Sequence, residues 1–122
     1  MKLKLTISLA ALLILLVSAS YAQTTPPPKM VPASEFYPGG QQAMYEFINS
    51  KAIYPPVAKR NRIQGECIVG VTINPDGTVS NFKVIKNIGG GAGDEAVRLV
   101  KLLKFKEIGY KLDTSIPVIF KL

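Results

Sequence analysis

The sequence predicts an α+β domain, in which a small antiparallel sheet of about three strands packs against two or three helices. Three observations support this fold class. Apolar residues alternate with a period of two over 65–73 and over 115–122, which is typical of half-buried strands. Turn residues at Asn74 to Gly77 join the first strand to a second. Apolar residues recur at helical spacing over 41–50 and 94–104.

The first 22 residues have the pattern of a secretory signal peptide. Lys2 and Lys4 precede an apolar stretch from Leu5 to Val17, and Ser20-Tyr21-Ala22 places small residues at a cleavage site. The apolar stretch is short for a membrane span. An uncleaved anchor helix is the alternative. We expect cleavage after Ala22, and therefore an exported, periplasmic protein.

The mature chain is expected to be a linker followed by one domain. Residues 23–35 contain three consecutive prolines, Pro26 to Pro28, which favour an extended polyproline II conformation. Residues 36–122 form the domain. Removing Lys2 and Lys4 lowers the formal net charge from +7 to +5.

Two helices are predicted ahead of the sheet. The first covers about Gln41 to Ser50, with an apolar stripe of Ala43, Met44, Phe47 and Ile48. The second runs from Pro56 to about Arg62, because proline is tolerated in the first turn of a helix.

The hairpin that follows is the clearest local signal in the chain. Gly65, Cys67, Val69, Val71 and Ile73 point to one side of the first strand, and the second strand covers Val79 to Ile85. Cys67 on the apolar side is interpreted as a buried small hydrophobic residue, not a reactive thiol. As it is the only cysteine, no disulfide can form within the chain.

The glycine run from Gly89 to Gly93 is interpreted as a flexible loop. It fits no phosphate-binding motif, and Asp94 and Glu95 would repel a phosphate there. A helix is predicted from Asp94 to about Lys104, with Ala96, Val97, Val100 and Leu103 facing inward. Glu95 and Arg98 form an i,i+3 pair on its outer side.

The last strand, Ser115 to Leu122, is the candidate binding site. Ile116, Val118, Phe120 and Leu122 are expected on one face, and Pro117, Ile119 and Lys121 on the other. Proline is confined to edge positions of a sheet, so this strand is expected at an edge where it could accept another strand. An ordinary core strand with blunted ends is the alternative. The candidate peptide-binding residues are Ser115, Ile116, Pro117, Val118, Ile119, Phe120 and Lys121.

Catalysis, metal binding and nucleic-acid binding are not expected. The chain contains no histidine, the commonest general base and metal ligand. Asp76 belongs to a turn, and adjacent carboxylates on a helix do not face each other. The basic residues are scattered without interleaved aromatic residues, so no nucleic-acid partner is expected. We therefore predict no catalytic residue, no metal and no cofactor.

In the order and spacing of its motifs, the chain resembles the TonB C-terminal domain family from about Phe36 to Leu122. The motif residues with most weight are Tyr54, Pro55, Gly65, Pro75, Asp76, Gly77, Glu95 and Arg98. The resemblance also includes Tyr37-Pro38-Gly39-Gly40, Phe47, Ala58, Ile63, Val79, Val84, Gly89 to Gly91, Ala96 and Val100.

The resemblance implies a non-enzymatic periplasmic α+β module whose edge strand pairs with a short segment of an outer-membrane TonB-dependent receptor. Such pairing would connect the chain to uptake of siderophores or similar nutrients. Phe105 to Gly109 replaces the tryptophan and prolines usual after the last helix, and the proline spacer is short. A freestanding exported domain is therefore expected. The alternative function is a cell-wall-binding envelope protein that contacts peptidoglycan, or a self-associating one that forms a homodimer.

Overall fold

The computed structural model describes residues 29–122, which form one three-stranded sheet with helices. None of the helices in this range has the length and apolar character needed to cross a membrane. In chain order the elements are a 3-10 helix Pro32–Phe36, α1 Gly40–Lys51, α2 Pro56–Arg60, β1 Gly65–Ile73, β2 Val79–Lys86, α3 Ala92–Lys101 and β3 Leu112–Phe120.

The sheet is antiparallel, with β1 in the centre and β2 and β3 on either side. Pairing of β1 with β3 is continuous from Gly65 opposite Phe120 to Ile73 opposite Leu112. This arrangement confirms the predicted α+β fold class.

The predicted turn at Asn74 to Gly77 joins β1 to β2, and a side chain of the turn stabilises it. Asp76 Oδ1 accepts hydrogen bonds from the Thr78 amide at 3.1 Å and the Thr78 hydroxyl at 2.6 Å. The same two bonds, the hydroxyl first, lower the pKa of Asp76. Gly77 has φ +87°, and a Cβ there would lie 2.0 Å from the Phe105 carbonyl oxygen. Only glycine allows this close approach between the turn and the loop before β3.

The core lies between one face of the sheet and the helices. Of the residues predicted on one side of β1, Cys67, Val69, Val71 and Ile73 are buried, and Gly65 at the strand end is half-buried. Cys67 is a fully buried free thiol. Helix α3 packs on the sheet, and α1 contacts α3. Buried side chains from the other elements include Met44, Ile48, Ala96, Leu99, Val100, Ile116, Val118 and Phe120.

The glycine run begins in a loop, as expected, but Gly90 and Gly93 within it are closely packed. Gly91 adopts φ +90° at the N-cap of α3, and a Cβ on Gly90 would lie 2.9 Å from Ala58. Helix α3 begins at Ala92, two residues before the predicted Asp94, because Ala92 and Gly93 already belong to its buried first turn. It ends at Lys101, not Lys104.

Strand β3 is shifted towards the N-terminus relative to the prediction of Ser115 to Leu122. It covers Leu112–Phe120, because its ends are set by the ends of β1. Phe120 already pairs with Gly65, the first residue of β1, so Lys121 and Leu122 have no partner in that strand. Leu122 is 52% exposed, and its predicted place on the inward face is wrong.

Other element boundaries differ by smaller amounts. Helix α1 extends one residue beyond the prediction at each end. Helix α2 ends at Arg60, before Arg62, which has a left-handed φ of 54°. The 3-10 helix falls largely within the predicted linker, and Val31, Ala33 and Ser34 are buried. The predicted signal peptide, residues 1–22, and residues 23–28 of the linker lie outside the described residues.

Candidate functional site

The two outer strands of the sheet differ in how regular their pairing is. Strand β2 shifts register against β1 twice, between Ile68 and Val69 and between Gly70 and Thr72. Asn81 in β2 also has a positive φ of 55°. Bulges twist an edge and interrupt its row of backbone groups, so they hinder addition of a further strand. The regular outer edge is therefore that of β3.

Strand β3 contains six of the seven predicted peptide-binding residues, and Lys121 follows its end. The core-side residues Ile116, Val118 and Phe120 are buried, so their side chains are engaged inside the domain. On the opposite face Ile119 is 45% exposed, while Ser115 and Pro117 are half-buried. On this face, the side chain of Ile119 is therefore the most accessible of the three.

One hydrogen bond reveals which backbone groups of β3 point outward. The Tyr45 hydroxyl, on α1, donates to the Pro117 carbonyl oxygen at 2.7 Å. That carbonyl therefore points away from β1, and Pro117 lacks an N–H for the ladder in any case. Because backbone groups alternate between the two sides of an antiparallel strand, those of Asp113, Ser115 and Ile119 also point outward.

Tyr45 is the residue at this edge that the sequence reasoning missed. It adjoins the predicted apolar stripe of α1 but is not part of it, so periodicity gave no reason to select it. A weaker signal was available, since a half-buried tyrosine usually finds a partner for its hydroxyl. Burial raises the pKa of Tyr45 well above its usual value, with a smaller contribution from the charge of Glu66.

Four of the family-motif residues join the segment before α2 to the rest of the domain. Glu95 accepts a hydrogen bond from the Ile53 amide at 2.6 Å and one from Arg98 Nε at 2.6 Å. Arg98 also donates to the Lys51 carbonyl oxygen at 2.8 Å. The Tyr54 hydroxyl donates to the Ile63 carbonyl oxygen, and Pro55 lies against Gly91.

The Glu95–Arg98 pair is the expected i,i+3 ion pair. The hydrogen bond from Arg98 makes the largest contribution and lowers the pKa of Glu95. Burial opposes it with the second-largest contribution, and the bond from the Ile53 amide and the charge of Arg98 lower the pKa further. The pKa of Arg98 is raised by the same contact. These groups are engaged in holding the α1–α2 connection to α3, which is a structural role.

The remaining motif residues also have structural roles. Pro75, Asp76 and Gly77 form the β1–β2 turn, where the Pro75 carbonyl oxygen accepts from the Ile108 amide at 3.1 Å. Gly65 has φ +145°, and a Cβ there would approach Ile88 to 3.2 Å. None of the eight principal motif residues lies in β3. The motif thus identifies the scaffold, and the candidate edge lies outside it.

The described part of the chain offers no group of three or more His, Cys, Asp or Glu side chains that could hold a metal ion. Its one free thiol, that of Cys67, is inaccessible.

Comparison with known proteins agrees with this architecture. A "Protein TonB" from each of two strains of Helicobacter pylori is 48% identical to the chain over 40 residues. The match covers 33% of this chain but 14% of each relative, so the chain corresponds to a small part of those proteins.

Two NMR solution structures of the Helicobacter pylori TonB C-terminal domain have a similar fold. One has a TM-score of 0.57 at 30% identity and covers 66% of this chain and 90% of that domain. The other has a TM-score of 0.57 at 27% identity and covers 80% and 97%. The family described as "Gram-negative bacterial TonB protein C-terminal" matches residues 50–122, more than half of the chain. The chain therefore belongs to the TonB C-terminal family.

Proposed function

We propose that this chain is a non-enzymatic periplasmic module that binds an extended segment of a TonB-dependent outer-membrane receptor. The segment adds to the sheet along 115–121, and the interaction serves uptake of siderophores or similar nutrients. The observation that carries the proposal is the regular outer edge of β3 in a member of the TonB C-terminal family.

The edge has the chemistry that strand addition needs. In an added strand, main-chain hydrogen bonds supply affinity and alternate side chains supply selectivity. Ser115 and Ile119 direct backbone groups outward, and the exposed side chain of Ile119 offers an apolar contact beside them. The bulged edge of β2 is a poorer acceptor, so the proposal commits to β3.

The test is an NMR titration of the ¹⁵N-labelled domain with synthetic peptides covering the periplasmic segments of TonB-dependent receptors from the same organism. We expect at least one peptide to shift the amide signals of 113–121 more than those of β2. If saturating concentrations of every peptide leave β3 unmoved, the proposal fails.

A pair of variants at Ile119 separates backbone pairing from side-chain contact. Ile119→Pro removes an outward N–H and leaves the bonds to β1 in place, because proline is tolerated on the open side of an edge strand. We expect it to weaken peptide binding about tenfold, since one hydrogen bond and close backbone approach are lost. Ile119→Ala keeps the N–H and should have a smaller effect.

The sequence also raised peptidoglycan and a second copy of the chain as partners. Neither peptidoglycan binding nor a homodimer is supported by the comparisons, and neither is part of this proposal. Periplasmic location rests on the family and on the predicted signal peptide in residues 1–22. Intact mass of the protein from native envelope fractions checks it, with a mature N-terminus expected at Gln23.

A further inference from the structure

Pro117 interrupts the outer edge of β3 at its middle. A proline has no N–H to offer an incoming strand. Its carbonyl oxygen already accepts the Tyr45 hydroxyl at 2.7 Å. The outward backbone groups of Ser115 and Ile119, two residues to either side, make no hydrogen bond to loops or caps within residues 29–122. An added strand therefore finds outward backbone groups available at Ser115 and Ile119, but at Pro117 between them it finds no N–H and an occupied carbonyl oxygen.

The Tyr45 hydroxyl is a permanent donor at this position. Its ring is half-buried between α1 and the edge of the sheet, next to the fully buried Met44. Glu66, whose charge acts on Tyr45, lies on β1 opposite Ile119. Burial and this negative charge both disfavour the phenolate, so the hydroxyl keeps its proton throughout the physiological range.

We infer that the Tyr45–Pro117 pair selects which extended peptide can be added to the edge. At one position of the peptide, the backbone N–H would point at the Pro117 carbonyl oxygen, and the edge prefers a peptide that has a proline at this position. This inference rests on the proposed strand addition along β3. It names the chemistry of the partner segment and a specificity-determining residue, Tyr45, in the core-side helix α1.

The preference holds for either direction of the added strand. In an antiparallel pair, the residue directly opposite Pro117 aims its N–H at that carbonyl. In a parallel pair, the next residue of the peptide does so. In both cases a single peptide N–H must displace the Tyr45 hydroxyl or share the oxygen with it. A proline at that position has no N–H and leaves the Tyr45 bond intact.

The flanking positions have the opposite preference. The peptide residues two positions before and two positions after the one facing Pro117 point their N–H groups at the carbonyl oxygens of Ser115 and Ile119, which have no other partner within residues 29–122. A proline at those positions would remove a hydrogen bond that the edge can otherwise make. The edge therefore distinguishes prolines by position within the same short peptide.

The first arm of the test is a proline scan of the receptor peptide that shifts β3 most strongly. Each residue is replaced in turn by proline, and affinities are measured by NMR titration against the intact domain. We expect one tolerated position, with an affinity equal to or above that of the parent. Proline two residues to either side should weaken binding about tenfold.

The second arm changes the domain. Tyr45→Phe removes the hydroxyl and keeps the ring, so the Pro117 carbonyl becomes available. We expect a peptide with an N–H at the selected position to bind about three- to tenfold tighter, and the proline peptide to be unchanged. A variant that merely damaged the fold would weaken both peptides. Pro117→Val, which restores an outward N–H, provides an independent route to a tighter complex.

The outcomes separate the two proposals. If no peptide shifts β3, strand addition itself fails, and this inference fails with it. If peptides bind along β3 but the proline scan is flat, or Tyr45→Phe leaves the ratio of the two affinities unchanged, strand addition stands and the selective role of Tyr45 and Pro117 is overturned.

Discussion

At the scale of single residues, the contacts of Glu95 explain why an outward-facing ion pair belongs to the family motif. Its carboxylate accepts from the Ile53 amide and from Arg98, while Arg98 reaches the Lys51 carbonyl oxygen. Two side chains of α3 thereby fix the end of α1 and the start of the next segment. Exposed i,i+3 pairs contribute little by themselves, but these bonds reach main-chain groups of another segment.

Replacing Glu95 with glutamine should lower the free energy of unfolding by about 1 kcal/mol at pH 7. The loss is modest because the Arg98 side chain is 43% exposed, so solvent screens the pair. The pKa of Glu95 is lowered in the folded state from 4.5. Its contribution is therefore complete above that pH and is lost as the pH falls through the folded-state pKa.

Urea unfolding of both proteins at several pH values checks this prediction. The difference between wild type and Glu95→Gln should be largest near neutrality and should narrow below pH 4.5, the unshifted pKa. Glu107→Gln, in the exposed loop before β3, is the matched control for loss of one negative charge. A difference that does not change with pH would contradict the assigned role of the carboxylate.

At the scale of elements, strand β3 has two different sides, one bonded to β1 and one forming the outer edge of the sheet. Its bonds to β1 use the backbone groups of even-numbered residues, and odd-numbered residues face outward, as the Tyr45–Pro117 bond indicates. The even residues Ile116, Val118 and Phe120 are also the buried ones. The even-numbered residues of β3 therefore pack in the core and bond to β1, while the odd-numbered residues direct their backbone groups to the outer edge.

Amide hydrogen exchange should follow this alternation along β3. The amides of Ile116, Val118 and Phe120 should exchange at least about 100-fold more slowly than those of Ser115 and Ile119, because opening of the ladder is needed to release them. Spectra of the ¹⁵N-labelled domain recorded after transfer to D₂O give the comparison. Slow exchange at Ser115 and Ile119 with fast exchange at Val118 would contradict the assigned bonding pattern.

The parts of the fold that the sequence predicted are those determined by local pattern. The alternation over 65–73 and the turn at Asp76 identified the β1–β2 hairpin, because side-chain direction and turn chemistry depend on neighbouring residues. The ends of β3 were not predictable in this way. They depend on the ends of β1, because Leu112 pairs with Ile73 and Phe120 pairs with Gly65, both far earlier in the chain.

The candidate site was predictable in outline but not in its details. Pro117 indicated an edge strand, because a proline cannot serve a central ladder. The bond from Tyr45 could not be foreseen, since the two residues are separated by 72 positions and no local pattern connects them. The start of α3 was missed because Ala92 and Gly93 read as loop residues beside three other glycines.

At the scale of the whole molecule, one core takes buried residues from the 3-10 helix, α1, β1, α3 and β3, and partly buried residues of β2 pack against it, so the domain should open as one unit. Cys67, the third residue of the central strand β1, is fully buried. A single-core domain of this size is stabilised by roughly 5 kcal/mol or more, and a thiol-specific reagent should reach Cys67 only after global unfolding. Labelling of the native protein should be at least about 1,000-fold slower than in denaturant.

The control for this experiment is an exposed thiol in the same fold. Lys111→Cys combined with Cys67→Ala places it in the loop immediately before β3. This variant should react at nearly the rate of the denatured chain. Comparable rates for Cys67 and the exposed thiol under native conditions would mean that β1 is reached by local opening, contrary to the single shared core.

The two bulges of β2 limit how far the sheet of this domain can grow. Growth by repeated strand addition, as in a fibril, needs an acceptor on both sides of every unit. Here one side is regular and the other is distorted at two places. A strand added to β3, as proposed, would complete the sheet, because the distorted edge of β2 is a poorer acceptor. Under the proposed strand addition, the domain would therefore accept one strand, which allows pairing and disfavours polymerisation.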